Sequence, residues 1–168
     1  MHQEEGLIVE KILDKTDYLI LTCLKKNARM KASDIAKEIN LSVSAVIERI
    51  KKMESAGVIE SYTIMLNQKI LGNDLTALMD VSLEHPKYYD GFVKAVSEIE
   101  SIQSCYYLTG KHDFLLKIIT DSSESLERIH RQIKCMEGVG STETHFVLKA
   151  VKKEAASLGD YQNYEKTE

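Results

Sequence analysis

Between residues 42 and 52 the chain sets Ser44, Glu48, Lys51 and Lys52 about one helical turn apart, on a surface that the apolar residues leave free. Hydroxyl and ammonium groups in that arrangement bond phosphate oxygens and base edges and break no covalent bond. Ser42 precedes them as a helix N-cap and is itself placed to face a nucleic-acid groove. Ala45 is small enough to let the backbone approach a base edge or a thymine methyl. Arg49 is ambiguous: it reads as a phosphate contact, or as a cation on the packing side that pairs with an acid such as Glu54. Lys51, Lys52 and Lys31 are expected to position the chain on phosphates and not to specify sequence. Elsewhere the chain shows no paired catalytic carboxylates, nucleophile elbow, phosphate-binding glycine loop or metal-ligand cluster. Cys23, Cys105 and Cys135 are widely spaced in apolar surroundings and read as buried thiols.

The elements that position these residues follow from periodicity. Ile35, Ala36 and Ile39 give one apolar helix face, and Asn40-Leu41-Ser42 interrupts it. Val46, Ile50, Met53 and Ala56 resume the helical spacing until Gly57 stops it. A short helix, a tight turn and a longer helix make a helix-turn-helix pattern. A preceding helix begins with caps and acids at 14–17 and ends with Lys25-Lys26, which suits the helix dipole. Tyr62, Ile64 and Leu66 predict a strand or wing after Gly57, a turn at 67–69 and a hinge near Gly72.

The second half changes period. Residues 75–84 alternate and predict a half-buried strand. Pro86, the single proline, opens a helix with a stripe of Tyr89, Phe92, Val93, Val96 and Ile99. Runs at 101–109 and 113–120, joined by Gly110-Lys111-His112, predict a hairpin. A helix capped at 121–123 carries Leu126, Ile129, Ile133 and Met136, is broken by Gly138 and Gly140, and leads to a last strand over 141–152. The order βαββαβ predicts a ferredoxin-like unit. Its uncovered sheet face, read as apolar, predicts a closed two-fold homodimer. The fold class is therefore α+β, with a (winged) helix-turn-helix domain over 1–66, a hinge over 67–74 and a ferredoxin-like domain over 75–152. A leader over 1–13, with Leu7, Ile8, Ile12 and Leu13, reads as a short amphipathic helix or a packed tail, and a polar tail over 153–168 reads as a frayed end or, through Ala155, Ala156 and Leu158, as a helix that docks on a neighbour.

Charge supports the division. Residues 11–56 hold ten Lys/Arg against six Asp/Glu, a net of +4, while the whole chain of 168 residues is at −4. A basic segment on an acidic remainder fits one part touching phosphate and another doing something else. With 43% hydrophobic residues a packed core is expected, and no apolar run is long enough to span a bilayer. The acidic start lacks the features of a signal peptide, so a cytoplasmic protein is expected.

Taken together, LSVSAVIERIKKMESAGVI, the preceding LDKTDY, a Tyr in the next strand, TGKHDFLLKI and STETHFVLK resemble the Lrp/AsnC (leucine-responsive, or feast/famine) transcription regulators over residues 13–152. The resemblance implies a DNA-binding homodimer that assembles into an octamer or larger and responds to an amino acid or related metabolite. From the residues themselves no cofactor, metal or membrane partner is expected. The resemblance places the effector at Thr109, Gly110 and Asp113, with Thr142 and Thr144. Asp113 suits an ammonium; the Gly110 N–H and threonine hydroxyls suit a carboxylate. The same residues also make a good turn in which Asp113 bonds backbone, with Lys111 and His112 solvated. Two other readings stand beside the regulator. An enzyme resembling the siroheme decarboxylases needs His and Arg where this chain has Ser104-Cys105-Tyr106-Tyr107. A sensor or assembly module without DNA binding fits poorly with the basic helix.

Overall fold

The structure, a computed structural model, describes residues 13–153 and residue 158. The leader and the tail therefore lie outside the described residues, apart from Leu13, Lys153 and Leu158. The chain divides into two compact units, with the boundary between residues 65 and 66.

The first unit holds three helices: α1 (Lys15–Lys26), α2 (Ala32–Ile39) and α3 (Val43–Ser55). Their ends are chemically specified. At α1, Asp17 N–H donates to Asp14 Oδ1 at 2.9 Å and Asp14 N–H donates to Asp17 Oδ2 at 3.1 Å, a reciprocal capping box. Asn40 takes a left-handed φ of 55° and ends α2, and Leu41 N–H returns to Ala36 O at 2.9 Å. Gly57, at φ 71°, ends α3 in a Schellman motif: Val58 N–H donates to Met53 O and Gly57 N–H to Glu54 O. Ile20, Cys23, Ile35, Ala36, Val46 and Met53 form the core.

The expected strand or wing over 58–66 is not formed. Residues 60–66 are exposed, and none of the described strands pairs with them. Alternation makes a segment β-prone, but a strand also needs a ladder partner. The turn at 67–69 and the hinge merge into one compact turn, closed by Asn73 N–H to Gln68 O at 2.9 Å and Asn73 Nδ2 to Gln68 Oε1 at 2.9 Å.

The second unit contains β1 (Leu75–Leu83), a 3₁₀ turn (Pro86–Tyr88), α4 (Tyr89–Ser97), β2 (Ile102–Tyr107), β3 (Phe114–Thr120), α5 (Ser123–Lys134) and β4 (Val139–Phe146). The sheet order is β2-β3-β1-β4, antiparallel throughout. Ala77, Met79, Val81, Phe114, Leu116 and Ile118 face the two helices and meet Phe92, Val96, Leu126, Ile129 and Ile133 in one core.

Four expectations change. The last strand ends at Phe146, not 152, because its ladder runs out: Val147 N–H donates to Thr76 O beside the start of β1. Gly140 lies inside β4, so Gly138 alone, at φ 80°, makes the break. The open sheet face is mixed and not uniformly apolar. By register it carries Leu78, Leu115 and Ile119 beside Asp80, Ser82, Lys117, Glu143 and His145. Of the cysteines only Cys23 is buried; Cys105 and Cys135 are exposed.

Candidate nucleic-acid interface and effector region

Helix α3 starts at Ser42, whose Oγ accepts from Ala45 N–H at 3.2 Å and shares a hydrogen bond with Ser44 Oγ at 3.1 Å. Ser44, Glu48, Lys51 and Lys52 are exposed, as expected for a face presented to a groove, and Ala45 is half-buried.

Arg49 resolves to the packing side. Its Nη1 lies 2.6 Å from Asp14 Oδ2 and 2.8 Å from Asp17 Oδ1, and Asp17 is only 1% exposed. The guanidinium therefore joins α3 to the N-terminus of α1 instead of pointing at a groove, and the acids it meets are not the Glu54 considered above. Hydrogen bonds to Asp17 and then Asp14 push its pKa up. Burial opposes ionisation of Asp14, but the Asp17 N–H and the Arg49 guanidinium outweigh it and hold the carboxyl below its ordinary value. Glu54 is taken by Tyr62, whose hydroxyl donates to Glu54 Oε1 at 2.8 Å. Burial first, and the Glu54 carboxylate second, push the Tyr62 phenol up to about 12.

The structure also exposes apolar residues on α3 that the stripe Val46–Ile50–Met53 left out. Val43 is 44% and Ile47 42% exposed. The legible signal is their spacing of four residues, off the buried stripe.

In the second unit the β2–β3 hairpin turns through Gly110 at φ 141°. Leu108 N–H donates to Asp113 O at 2.8 Å, and Asp113 N–H to Val81 O at 3.0 Å. The Asp113 carboxylate has a structural partner: Leu83 N–H donates to Oδ2 at 2.7 Å, beside the register shift at Ser82/Leu83. His112 is not a solvated turn residue. Its Nδ1 lies 3.0 Å from Ser82 Oγ and its Nε2 3.6 Å from Glu143 Oε2. Lys111 is exposed as expected.

The five residues expected at the effector site do not form one pocket within a chain. Thr142 pairs with Val81 and Thr144 with Met79, on β4, beyond β1 from the hairpin. Two strand spacings, about 10 Å, separate β4 from β3. Both threonines point to the helix side, where Thr142 Oγ1 meets His130 Nε2 at 3.3 Å. The Thr144 hydroxyl is buried and has no hydrogen-bond partner. Two open recesses of about 670 and 630 Å³ lie elsewhere on this unit, and neither is lined by hairpin residues. Among the described residues no group of three or more His, Cys, Asp or Glu is placed to hold a metal ion.

Comparison with known proteins follows the same division. Residues 13–60 match the family described as winged helix-turn-helix DNA-binding, and residues 76–157 match the Lrp/AsnC ligand binding domain. An HTH-type transcriptional regulator of Pyrococcus abyssi is 32% identical over 143 residues, covering 85% of this chain and 97% of the relative. The leucine-responsive regulatory protein of Escherichia coli (strain K12) is 32% identical over 146 residues, covering 85% and 89%. A transcriptional regulator from Neisseria meningitidis, solved as an L-Met complex, superposes with TM-score 0.83 at 28% identity, covering 87% of this chain and 96% of that one. Escherichia coli AsnC gives 0.80 at 27% identity, covering 86% and 97%.

Proposed function

The chain belongs to the Lrp/AsnC family of DNA-binding transcription regulators, and on that premise we propose that a free amino acid, bound at the 108–113 hairpin, controls how its helix-turn-helix engages DNA. The observation that carries the reading is the open hairpin. Thr109 and Gly110 are exposed, and Asp113 uses one oxygen on Leu83 N–H, leaving acceptor capacity for an ammonium. A neighbouring regulator solved with L-Met supports an amino acid as the ligand class.

On this reading a second chain completes the site. Thr142 and Thr144 lie two strands away from the hairpin of their own chain; the Thr144 hydroxyl is buried on the helix side, so of the two only the half-buried Thr142 is open to another chain's hairpin. The half-buried Leu78, Leu115 and Ile119 on the open sheet face suit a homodimer, and hairpin contacts between dimers suit an octamer or larger. Effector binding at those contacts changes the spacing of the DNA-binding units and so which half-sites are engaged together. Ser42, Ser44, Ala45, Glu48, Lys51 and Lys52 form the DNA-facing surface. No helix among the described residues is long and apolar enough to cross a membrane, and the protein acts on DNA in the cytoplasm.

A thermal-shift screen of the purified chain against the twenty amino acids, read beside its mass in solution, tests the reading. A ligand that binds the native state raises the melting temperature by mass action. A hit that also changes the mass supports the effector site. A stable oligomer with no hit among the twenty contradicts the amino-acid assignment.

A further inference from the structure

Val43 and Ile47 stand apart from the rest of α3. Neither belongs to the buried cluster of the first unit or to the half-buried shell around it, which α3 joins through Val46, Ile50 and Met53. They lie four residues apart, so their side chains share one side of the helix. Their exposures of 44% and 42% leave several methyl groups in solvent, beside the exposed Ser44, Glu48 and Lys51. Single exposed apolar residues need no explanation. A stacked pair in the first half of α3 does, because that end of the second helix of such a motif meets base edges.

The major groove offers one apolar group, the C5-methyl of thymine. We propose that Val43 and Ile47 read thymine methyls in the operator and are specificity-determining residues of α3. Both side chains are β-branched, so the helix restricts χ1 and presents their methyls in a defined place, with little entropy lost on docking. The contact extends the polar face: hydroxyl, carboxylate and ammonium groups bond edges and phosphates, and the apolar pair selects A·T pairs beside them. Ala45, the residue whose size suits a thymine methyl, is half-buried and lies on the opposite flank of that polar face. The inference rests on the family's DNA binding and is independent of the effector site.

Duplexes selected from a random pool by the full-length chain supply the probe. Each thymine in the selected site is then replaced by deoxyuridine, which deletes only the methyl. Loss of one buried methyl corresponds to about fourfold in affinity. The proposal expects one or more thymines at which uracil weakens wild-type binding about fourfold. At those thymines Ile47→Ala or Val43→Ala should bind the T and U duplexes equally, while the salt dependence of binding stays that of wild type. Alanine favours the helix, so both variants keep the fold, which is checked by their melting curves. Uracil without effect at every position overturns the proposal. So does a uracil penalty that persists in both variants. A change of mass in the variants, with T/U discrimination unchanged, assigns the pair to a contact between chains and also overturns it.

Discussion

The guanidinium of Arg49 lies 2.8 Å from the buried carboxylate of Asp17, and this pair fixes α3 against the start of α1. Asp17 is also half of the capping box that begins α1. One acid thus starts the first helix and anchors the helix proposed to face DNA.

Removing the cation leaves that acid buried without its charge partner. Arg49→Met should lower stability on the order of 2–3 kcal/mol, below the range for a fully buried pair because the Arg49 side chain is about one-third exposed. Urea denaturation measures it. A midpoint unchanged from wild type would mean that the pair does not hold the two helices together.

The same clamp sets an acid limb. The folded-state pKa of Asp14 is depressed, so its contribution is present above the unfolded value of about 3.9 and is lost as pH falls through the folded value. Stability should therefore fall below about pH 4, and Asp14→Asn should flatten that fall. Denaturation midpoints from pH 6 to 3 check it. Equal acid limbs in the two proteins would remove Asp14 from the account.

Gly138 is required twice over. It sits at φ 80°, and an added Cβ would lie 2.1 Å from Tyr88 Cγ. Gly138→Ala should cost about 2–4 kcal/mol, combining a left-handed backbone with overpacking. Adding Tyr88→Ala should restore the packing part of that loss and leave the backbone part. A double-mutant cycle on thermal stability separates the two; simple additivity would show that the ring is not the obstacle.

Asp113 has both a structural and a proposed binding role, and two substitutions tell them apart. Asp113→Asn keeps an acceptor for Leu83 N–H and loses the charge for an ammonium. It should retain the fold, the oligomer and DNA binding and lose the ligand response. Asp113→Ala should lose the response and also about 1–3 kcal/mol of stability, through the unpaired Leu83 N–H. Amino-acid-dependent melting shifts of both variants check this, and a normal response in Asp113→Asn would place the effector elsewhere.

Much of the fold was legible because local chemistry and tertiary structure agree. Ser42, Gly57 and the acids at 14–17 mark helix ends through bonds to their own neighbours. Alternation over 75–83 survives because Ala77, Met79 and Val81, on one face of β1, are buried. What was not legible depends on partners distant in sequence. The strand over 141–152 stops at Phe146 because β1, some seventy residues earlier, begins at Leu75. The segment 58–66 has strand chemistry but no ladder. Arg49 borders the apolar stripe, and only the placement of Asp14 and Asp17 decides which way it turns. Thr142 and Thr144 have the right chemistry for a carboxylate, but the side of the sheet they occupy follows from register.

The central claim is that an amino acid controls DNA engagement by this chain. Its most direct measurement is the affinity for a selected operator duplex, by fluorescence anisotropy at fixed salt, with and without each of the twenty amino acids, for wild type and Asp113→Asn. The account predicts salt-sensitive binding that at least one amino acid shifts in wild type and none shifts in the variant. Binding that no amino acid alters in wild type, or a shift that persists in full in the variant, would contradict it.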